Sequence, residues 1–412
     1  MKHLLMIAYH YPPLAGSSGI QRTLCFSKDL QAFGWQPVVL SAHPRAFERT
    51  GDDLLGGIPP DVKVRRAFAL DARQHLSILG RYPAWFARPD RWTSWLLGAL
   101  PAGLQLIREQ RPDVIWSTYP IPTAHVIGYW LSRLSGVPWV ADFRDPMAHA
   151  GYPQDRVTWS SYLKVEQRVF ARASRMVFTT PGAARLYRER YPTRVDDVHV
   201  IENGFDETHA LGPTSALTAG KLPGNKITLL HSGIVYPEWR NPTQLFQALR
   251  FLIDSGAVAP DSISLRFRAP EHVEFLSRLV ATHTLGDVVQ ILPAVSYKMA
   301  LDEMCAVDGL LVLQSDDCND QIPAKLYEYF RACKPILGLC GDNSDTADLL
   351  RRGSCVHVAP LGSATAICKA LTGFLADLRV GAPALPGTGF VESMSRRARA
   401  QALATLLNGV QA

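Results

Sequence analysis

The feature that most constrains the fold is a repeated alternation of short apolar runs with longer runs of helical period. Pro and Gly residues separate the two kinds of run. Strands that alternate with helices form βαβ units, and repeated units build a parallel sheet with helices on both faces. The predicted strands are Leu4–Tyr9, Val38–Ser41, Val114–Ser117, Val137–Ala141, Met176–Thr179 and Val198–Ile201, and the predicted helices include Ile20–Phe33, Trp95–Glu109, Thr123–Ser135, Tyr162–Ala173 and Ala183–Arg190.

The same pattern restarts at Lys226, which indicates a second domain, as a chain of 412 residues also favours. The stretch before it is rich in Gly, Pro, Thr and Ser, as linkers are. We therefore expect two doubly wound Rossmann-like domains at 1–203 and 226–385, a linker at 204–225, and a terminal helix within 386–412. The further strands are predicted at Lys226–His231, Ser264–Arg268, Val288–Ile291, Gly309–Leu313, Pro335–Leu339 and Val356–Ala359, and the terminal helix has Ala400, Leu403, Leu406 and Leu407 on one face.

The composition, 47% hydrophobic and 19% charged, is that of a globular enzyme. The net charge of +6 is scattered, which argues against a nucleic-acid partner and suits anionic small substrates or an anionic membrane surface. No apolar run approaches the roughly 18 residues of a spanning helix, and the seven cysteines contain no C-x-x-C pair. We expect a cytoplasmic protein, at most peripheral to the inner face of the membrane.

Two loops after predicted strands of the first half are candidate sites. Gly16, Ser18 and Gly19 would let the backbone approach a ligand, and the N–H groups of the following helix could bind an anion. The alternative is a tight strand-to-helix turn. Arg144 and Asp145 follow the strand Val137–Ala141, where ligands bind in open α/β sheets. Here the alternative is a local Arg–Asp ion pair that fixes the loop.

The segment Arg81–Leu97 interleaves large aromatic residues with arginines. This composition suits a membrane interface or an amphipathic acceptor. The alternative is that the aromatics pack in the core and the arginines are solvated. Two prolines break any continuous amphipathic helix, so the sequence leaves both open.

The richest region, residues 315–329, follows the strand Gly309–Leu313. Pro323 suits a first helical position, which would leave the N–H groups of Ala324 and Lys325 free to bind an anion beside the Lys325 charge. Glu328, one turn later, could accept both hydroxyl protons of a ribose. The alternative is a capped helix with an exposed Lys–Glu pair.

In the order and spacing of its motifs, the chain resembles the retaining glycosyltransferases of family 4, which have the GT-B fold. The resemblance spans residues 1 to about 360. It rests on Tyr11-Pro12-Pro13 with the loop Gly16–Gly19, on Pro112–Ile115, on Ala141–Pro146, on Asn203-Gly204-Phe205-Asp206, and on Asp320 and Glu328 in a variant of Ile-Pro-x-Lys-x-x-Glu-Tyr. It implies two domains that face a cleft, and a C-terminal helix packing back toward the N-terminal domain.

The sequence departs from this family at two places. Gly233-Ile234 stands where the family has Gly-Arg, so one of the two cations that contact the donor pyrophosphate is missing. Arg240 lies near the position of the second cation and could act alone or with Lys325. Asp320 replaces a glutamate, which shortens its reach toward the donor sugar.

The resemblance implies transfer of a sugar from a nucleotide diphosphate sugar to a hydroxyl of a saccharide or lipid-linked saccharide, with retention. Glycan, lipopolysaccharide or exopolysaccharide synthesis at the bacterial surface is the implied setting. No Asp-x-Asp occurs, so a metal is not expected, although Asp316, Asp317 and Asp320 form an acidic loop. The candidate catalytic residues are Arg144, Asp145 and Asp320, and the candidate donor-binding residues are Gly16, Ser18, Gly19, Gly233, Arg240, Gln321, Ile322, Lys325 and Glu328.

Other functions stay open at this point. Asp145 and His10 both qualify to orient the acceptor. A sugar-nucleotide epimerase of GT-B fold would need acid–base pairs on both faces of the sugar. The absence of Gly-x-Gly-x-x-Gly argues against a dehydrogenase. The Ile234 departure keeps a non-catalytic glycosyltransferase-like subunit under consideration.

Overall fold

The predicted alternation of strands and helices is present in the computed structural model, which describes residues 1–17, 19–77, 82–83, 87–149, 152–207 and 226–410. The chain divides into an N-terminal unit, Met1–Asn203 with Arg396–Ala412, and a C-terminal unit, Gly204–Ser395. Each unit contains a parallel sheet, which confirms the predicted class of two doubly wound Rossmann-like folds. Residues 208–225 of the predicted linker lie outside the described residues.

The N-terminal unit is built on a seven-stranded sheet. Its strands are β1 (Lys2–Ile7), β2 (Trp35–Ala42), β3 (Lys63–Ala67), β4 (Val114–Thr118), β5 (Trp139–Arg144), β6 (Arg175–Phe178) and β7 (Val198–Val200). They lie in the order β3-β2-β1-β4-β5-β6-β7. The sequence pattern does not predict β3, because three cations interrupt its apolar residues; an edge strand tolerates them, since one side is open to solvent.

Helices cover this sheet and bury an extensive apolar core against it, including Trp95 and Trp139. The helices are α1 (Gly19–Asp29), α2 (Ala72–His75), α3 (Trp95–Gln110), α4 (Pro122–Ser135), α5 (Arg156–Arg172) and α6 (Pro181–Arg190).

The C-terminal unit repeats this construction with six strands. They are β8 (Ile227–Ser232), β9 (Ile263–Arg268), β10 (Val289–Leu292), β11 (Gly309–Leu313), β12 (Ile336–Leu339) and β13 (Val358–Ala359), in the order β10-β9-β8-β11-β12-β13. The helices are α7 (Thr243–Asp254), α8 (Val273–Thr282), α9 (Tyr297–Ala306), α10 (Lys325–Arg331), α11 (Asp345–Arg352), α12 (Ala364–Val380) and α13 (Thr388–Ser393).

The last helix, α14 (Arg396–Asn408), belongs to the N-terminal unit although it follows the C-terminal one in sequence. Its buried residues Ala400, Leu403 and Leu407 pack with Leu24 and Phe26 of α1. The predicted apolar face and its packing toward the N-terminal unit are confirmed.

In each sheet the order of the strands reverses at one point, between β1 and β4 in the first and between β8 and β11 in the second. Loops diverge at such a point and leave a crevice outside the carboxyl ends of the strands, where open α/β sheets bind ligands. The described site residues that lie outside helices are Arg144 at the end of β5 and residues of the loops after β1, β5, β8 and β11.

The aromatic and basic segment Arg81–Leu97 is described only at residues 82–83 and 87–97. Trp95 is fully buried, and Trp92 donates a hydrogen bond from Nε1 to the Ala46 carbonyl (3.0 Å) while packing on Tyr9. For these two residues the structure favours packing in the core over contact with a membrane. Within the described residues, no helix is both long and apolar enough to cross a bilayer.

Candidate functional site

The loop between β1 and α1 brings small residues against two polar side chains. A Cβ at Gly19 would collide with the Arg144 guanidinium and would lie 2.8 Å from Nδ1 of His10. Gly19 is therefore required by close approach, which a tight turn alone would not need. Gly16, at φ +81°, occupies the left-handed region that favours glycine. Ser18 lies outside the described residues.

Arg144, the last residue of β5, has strained backbone geometry. Its φ of +61° is left-handed, and such a conformation costs about 1–3 kcal/mol in a non-glycine residue. The N–H and the hydroxyl of Thr179 both donate to the Arg144 carbonyl, each at 2.9 Å, and stabilise this geometry. Its Nε is buried and has no hydrogen-bond partner within the described residues, and burial lowers the pKa of the guanidinium. This arrangement holds the desolvated Arg144 guanidinium at the carboxyl end of the sheet.

Asp142 does not pair with its neighbour Arg144. It accepts two hydrogen bonds from the buried Arg22 guanidinium, at 2.9 and 3.1 Å, and a third from the Thr118 hydroxyl at 2.8 Å. Arg22 also donates to the carbonyls of Ile201 and Glu202. An ion pair does fix this loop, but it joins Arg22 of α1 to Asp142 of β5, and Arg144 takes no part in it.

His10 and Asp145, the two candidates for orienting an acceptor, differ in their surroundings. Burial and the Arg144 charge lower the pKa of His10 to about 3, so its imidazole is neutral near pH 7. Its Nδ1 lies 2.8 Å from the Ser17 hydroxyl. Asp145 is exposed, with the Thr179 hydroxyl 3.4 Å from Oδ1. Only His10 is enclosed by the loop that carries Gly19.

In the C-terminal unit, the end of β8 contacts the start of α10. Nζ of Lys325 lies 3.0 Å from Nε2 of His231, and a Cβ at Gly233 would lie 3.2 Å from the same Nζ. His231 is fully buried and its Nδ1 lies 3.0 Å from the Leu311 carbonyl, which can only accept. Nδ1 therefore bears the proton and Nε2 accepts from Lys325. A neutral group thus positions the lysine.

The Arg240 side chain reaches back to Ile234, the position at which this sequence lacks the arginine of the family that it resembles. Its Nη1 donates to the Ile234 carbonyl at 3.0 Å, and its guanidinium lies over the Tyr236 ring. Burial lowers the pKa of Arg240, and burial together with the Arg240 charge lowers the pKa of Lys325 well below its usual 10.5. In the part of the chain that the structure describes, neither cation has a carboxylate partner.

The loop after β11 is shaped by Gln314, a residue that belongs to none of the sequence motifs. Its Nε2 donates to the carbonyls of Cys318 (2.6 Å) and Gln321 (2.9 Å). Ile322 is buried, whereas the side chains of Asp320 and Gln321 are exposed. Leu326 N–H donates to the Pro323 carbonyl (2.9 Å), but the helix itself begins at Lys325 with Ala324 as its N-cap, so the prediction of Pro323 as its first residue is wrong by two positions.

Glu328 is buried, 9% exposed, which excludes the exposed Lys–Glu pair. The Tyr297 hydroxyl donates to its Oε1 at 2.6 Å, and Arg331 lies 3.5 Å from its Oε2. That second oxygen has no hydrogen-bond partner within the described residues. Helical spacing predicts that Glu328 lies beside Lys325. In the structure, however, Lys325 contacts His231 and Glu328 contacts Tyr297.

The structure therefore groups the predicted residues into one set in each unit. The N-terminal set joins Gly19 and Arg144 with His10, which the sequence already offered as a candidate, and with Gly16 and Ser17 of the same loop. In the C-terminal set, Gly233, Arg240 and Lys325 converge, with His231 added and Glu328 on the same helix as Lys325. Within the described residues, no cluster of three His, Cys, Asp or Glu side chains could hold a metal ion.

Comparisons with known proteins bear on both units. Residues 19–204 match the family model described as a glycosyl transferase 4-like domain. No curated protein was found to match by sequence. The chain is similar in structure to sucrose-phosphate synthase from Thermosynechococcus elongatus, with a TM-score of 0.69 and 15% identity over 99% of this chain and 98% of that chain.

Two further solved structures match over nearly their whole lengths. Anabaena HepE, solved in complex with UDP, has a TM-score of 0.69 and 15% identity, with 100% of both chains covered. The lipopolysaccharide outer core galactosyltransferase WaaB has a TM-score of 0.63 and 12% identity over 99% of this chain and 100% of that chain. Residues 19–204 thus match a glycosyl transferase 4-like domain, and the whole chain has the GT-B fold of these solved structures.

Proposed function

We propose that the protein transfers a sugar, with retention, from a nucleotide diphosphate sugar to a hydroxyl of a saccharide or lipid-linked saccharide. The observation that carries this proposal is that Lys325 lies against Gly233 and Arg240 donates to the carbonyl of the next residue, Ile234, at the point where the second sheet reverses its strand order. The leaving group of the reaction is a nucleoside diphosphate whose negative charge grows in the transition state, and stabilising it is the main electrostatic task.

The charge state of the two cations supports this assignment. Both are partly buried, and burial lowers the pKa of each, so the charged forms are less stable there than in water. Neither is neutralised by a carboxylate in the described part of the unit. A bound diphosphate would supply the missing negative charge, and these cations could stabilise it without a metal ion.

Glu328 is assigned to the ribose. Its Oε1 already accepts from Tyr297, while Oε2 has no hydrogen-bond partner within the described residues. Arg331 forms an ion pair with this oxygen at 3.5 Å, and a ribose hydroxyl would supply the hydrogen bond that the oxygen lacks. Asp320, exposed in the loop before α10, is assigned to the donor sugar.

The N-terminal set is assigned to the acceptor. In a retaining transfer the donor phosphate can take the acceptor proton, so no strong base is needed there. His10, with a pKa of about 3, is too weak a base near neutral pH but can orient a hydroxyl through a hydrogen bond. Arg144 and Asp145 complete this proposed acceptor edge. Surface polysaccharide synthesis at the inner face of a membrane is the setting we propose.

The first test is a thermal-shift panel of UDP, GDP, dTDP, ADP and their sugars, since a ligand of the native state raises the melting temperature. UDP is the first candidate because HepE, a protein of similar fold, was solved with UDP and with UDP-glucose. No shift with any nucleotide would contradict the proposal.

The second test is turnover of the donor that binds best, with and without acceptor mixtures and a chelator. A transferase releases nucleoside diphosphate in an acceptor-dependent way, whereas an epimerase would convert the donor alone. Glu328→Gln should lose transfer while keeping its fold. If the wild-type chain binds donor but neither transfers nor converts it, a non-catalytic subunit is the correct description.

A further inference from the structure

The N-terminal unit contains a cavity of about 560 Å³ beside the loop that follows β1. Small-molecule sites commonly have volumes of about 300–1,000 Å³, so a sugar unit fits this space. The walls combine apolar side chains with polar groups. The cavity is lined by Tyr9, His10, Leu14, Ala15, Gly16 and Ser17 after β1, and by Glu48, Arg49, Arg73, Gln74, Arg91 and Trp92 from other segments.

The charges of this cavity are unbalanced. Its lining contains three arginines but only one acid, Glu48. Arg91 forms an ion pair with Glu48 and lies 3.4 Å from Asp71, so its charge is already compensated. The side chains of Arg49 and Arg73 are exposed and form no ion pair within the described residues. Two guanidinium groups are therefore available to a ligand.

The position of the cavity connects it to the acceptor edge. His10 and Ser17, which hydrogen-bond to each other at 2.8 Å, lie in its wall, and His10 also borders Gly19 and Arg144. Because His10, Arg49 and Arg73 all line the cavity, one bound molecule could present a hydroxyl to His10 and an anionic group to the two arginines. A guanidinium binds phosphate or carboxylate with paired hydrogen bonds, which a neutral sugar does not use.

We propose that the acceptor is an anionic saccharide, whose phosphate or carboxylate group is bound by Arg49 and Arg73 in this cavity. This inference rests on the proposed function and narrows its acceptor to a chemical class. The sugar ring would contact the wall formed by Leu14 and Trp92, and the anion would balance the uncompensated positive charge.

The test is an NMR titration of the full-length protein with glucose 6-phosphate, glucuronate, inorganic phosphate and glucose. We expect at least one charged sugar to bind roughly tenfold or more tightly than glucose, since hydrogen bonds to charged groups are the strong ones. Arg49→Gln/Arg73→Gln should remove this preference. The better of the two charged sugars identifies the anion.

The matched control is Arg108→Gln/Arg133→Gln, which removes the same charge from exposed positions of α3 and α4 that make no ion pair within the described residues. This control should keep the preference. Equal binding of charged and neutral sugars, or equal losses in the two double variants, would overturn the inference. UDP affinity, measured on the same samples, tests the proposed function separately, because the donor residues lie in the C-terminal unit.

Discussion

The carboxyl edges of the two sheets hold their cations in different ways. At the first edge, the buried Arg22 donates two hydrogen bonds to Asp142. This ion pair neutralises the Arg22 charge and joins α1 to β5. At the second, Lys325 donates to the imidazole of His231 and Arg240 to the carbonyl of Ile234, both neutral acceptors, and within the described residues neither cation has a carboxylate partner. A neutral acceptor positions a cation without cancelling its charge. The comparison suggests how structural and ligand-binding cations can be told apart.

Arg144 lies at the carboxyl edge of the first sheet, but it resembles Lys325 and Arg240 of the second sheet more than it resembles Arg22. Its guanidinium is buried, its Nε lacks a hydrogen-bond partner within the described residues, and its backbone is strained. Strain of this kind tends to be found at functional sites. Each edge therefore carries a cation that forms no ion pair within the described residues, and the first edge also has the structural pair of Arg22 and Asp142.

The largest expected effect concerns stability. Asp142→Ala leaves the buried Arg22 charge unpaired and should lower the free energy of unfolding by about 3–5 kcal/mol. Lys325→Met removes a desolvated charge that has no carboxylate partner among the described residues, so it should leave stability unchanged or raise it. Urea unfolding of the full chain, followed by circular dichroism, measures both.

The control for this pair is Arg22→Met/Asp142→Leu, which removes both charges and should recover most of the lost stability. If Lys325→Met destabilised the protein as much as Asp142→Ala, the distinction between structural and ligand-binding cations would fail.

The next effect is on donor affinity. Lys325→Met should weaken binding of a nucleoside diphosphate roughly 10- to 100-fold. This range corresponds to the loss of one hydrogen bond to a charged group, which contributes about 1.5–3 kcal/mol. Asp320→Asn should change it less, since an exposed side chain assigned to the sugar does not touch the diphosphate. Isothermal titration calorimetry measures both, with exposed Lys298→Met as the control. The reverse order of the two effects would contradict the assignment.

A smaller effect is expected at His231. His231→Gln removes the imidazole that accepts from Lys325, and the loss of one ordinary hydrogen bond, about 1 kcal/mol, corresponds to roughly fivefold weaker donor binding. The variant should lose affinity for UDP but not for uridine. An equal loss for both ligands would assign His231 to general packing of the unit.

The smallest effect is a pH dependence. A bound anion favours protonated Lys325, whose pKa in the free protein lies well below 10.5, so affinity should fall as pH rises through that lowered pKa. Binding above it should take up a proton, measurable by calorimetry in buffers of different ionisation enthalpy. Lys325→Arg should move the fall in affinity to higher pH, because an arginine keeps its charge. An unshifted profile would indicate that another group titrates.

Much of the fold is readable from the sequence, because strand and helix periods differ and the pattern restarts at Lys226. The site is readable in part. The loop to Gly19 and the segment Pro323–Glu328 follow from local motifs and from the rule that ligands bind at the carboxyl ends of parallel strands.

The hydrogen-bond and ion-pair partners of the site residues could not be predicted from the sequence, because they depend on which strands are neighbours in the sheet. Helical spacing placed Lys325 with Glu328, but β8 lies next to β11 and brings His231 to the lysine instead. Asp142 and Arg22 are 120 residues apart in sequence, so no local pattern links them. The role of Arg240 beside Ile234 likewise required the geometry of the loop after β8.

The most direct test of the central claim, that Lys325 and Arg240 bind the diphosphate of a donor, compares UDP with uridine. Calorimetry would measure the dissociation constants of both for the wild-type chain and for Lys325→Met/Arg240→Gln. We predict that the wild type binds UDP much more tightly than uridine and that the double variant loses most of this difference without losing uridine affinity. A double variant that still binds UDP as tightly as the wild type would contradict the claim.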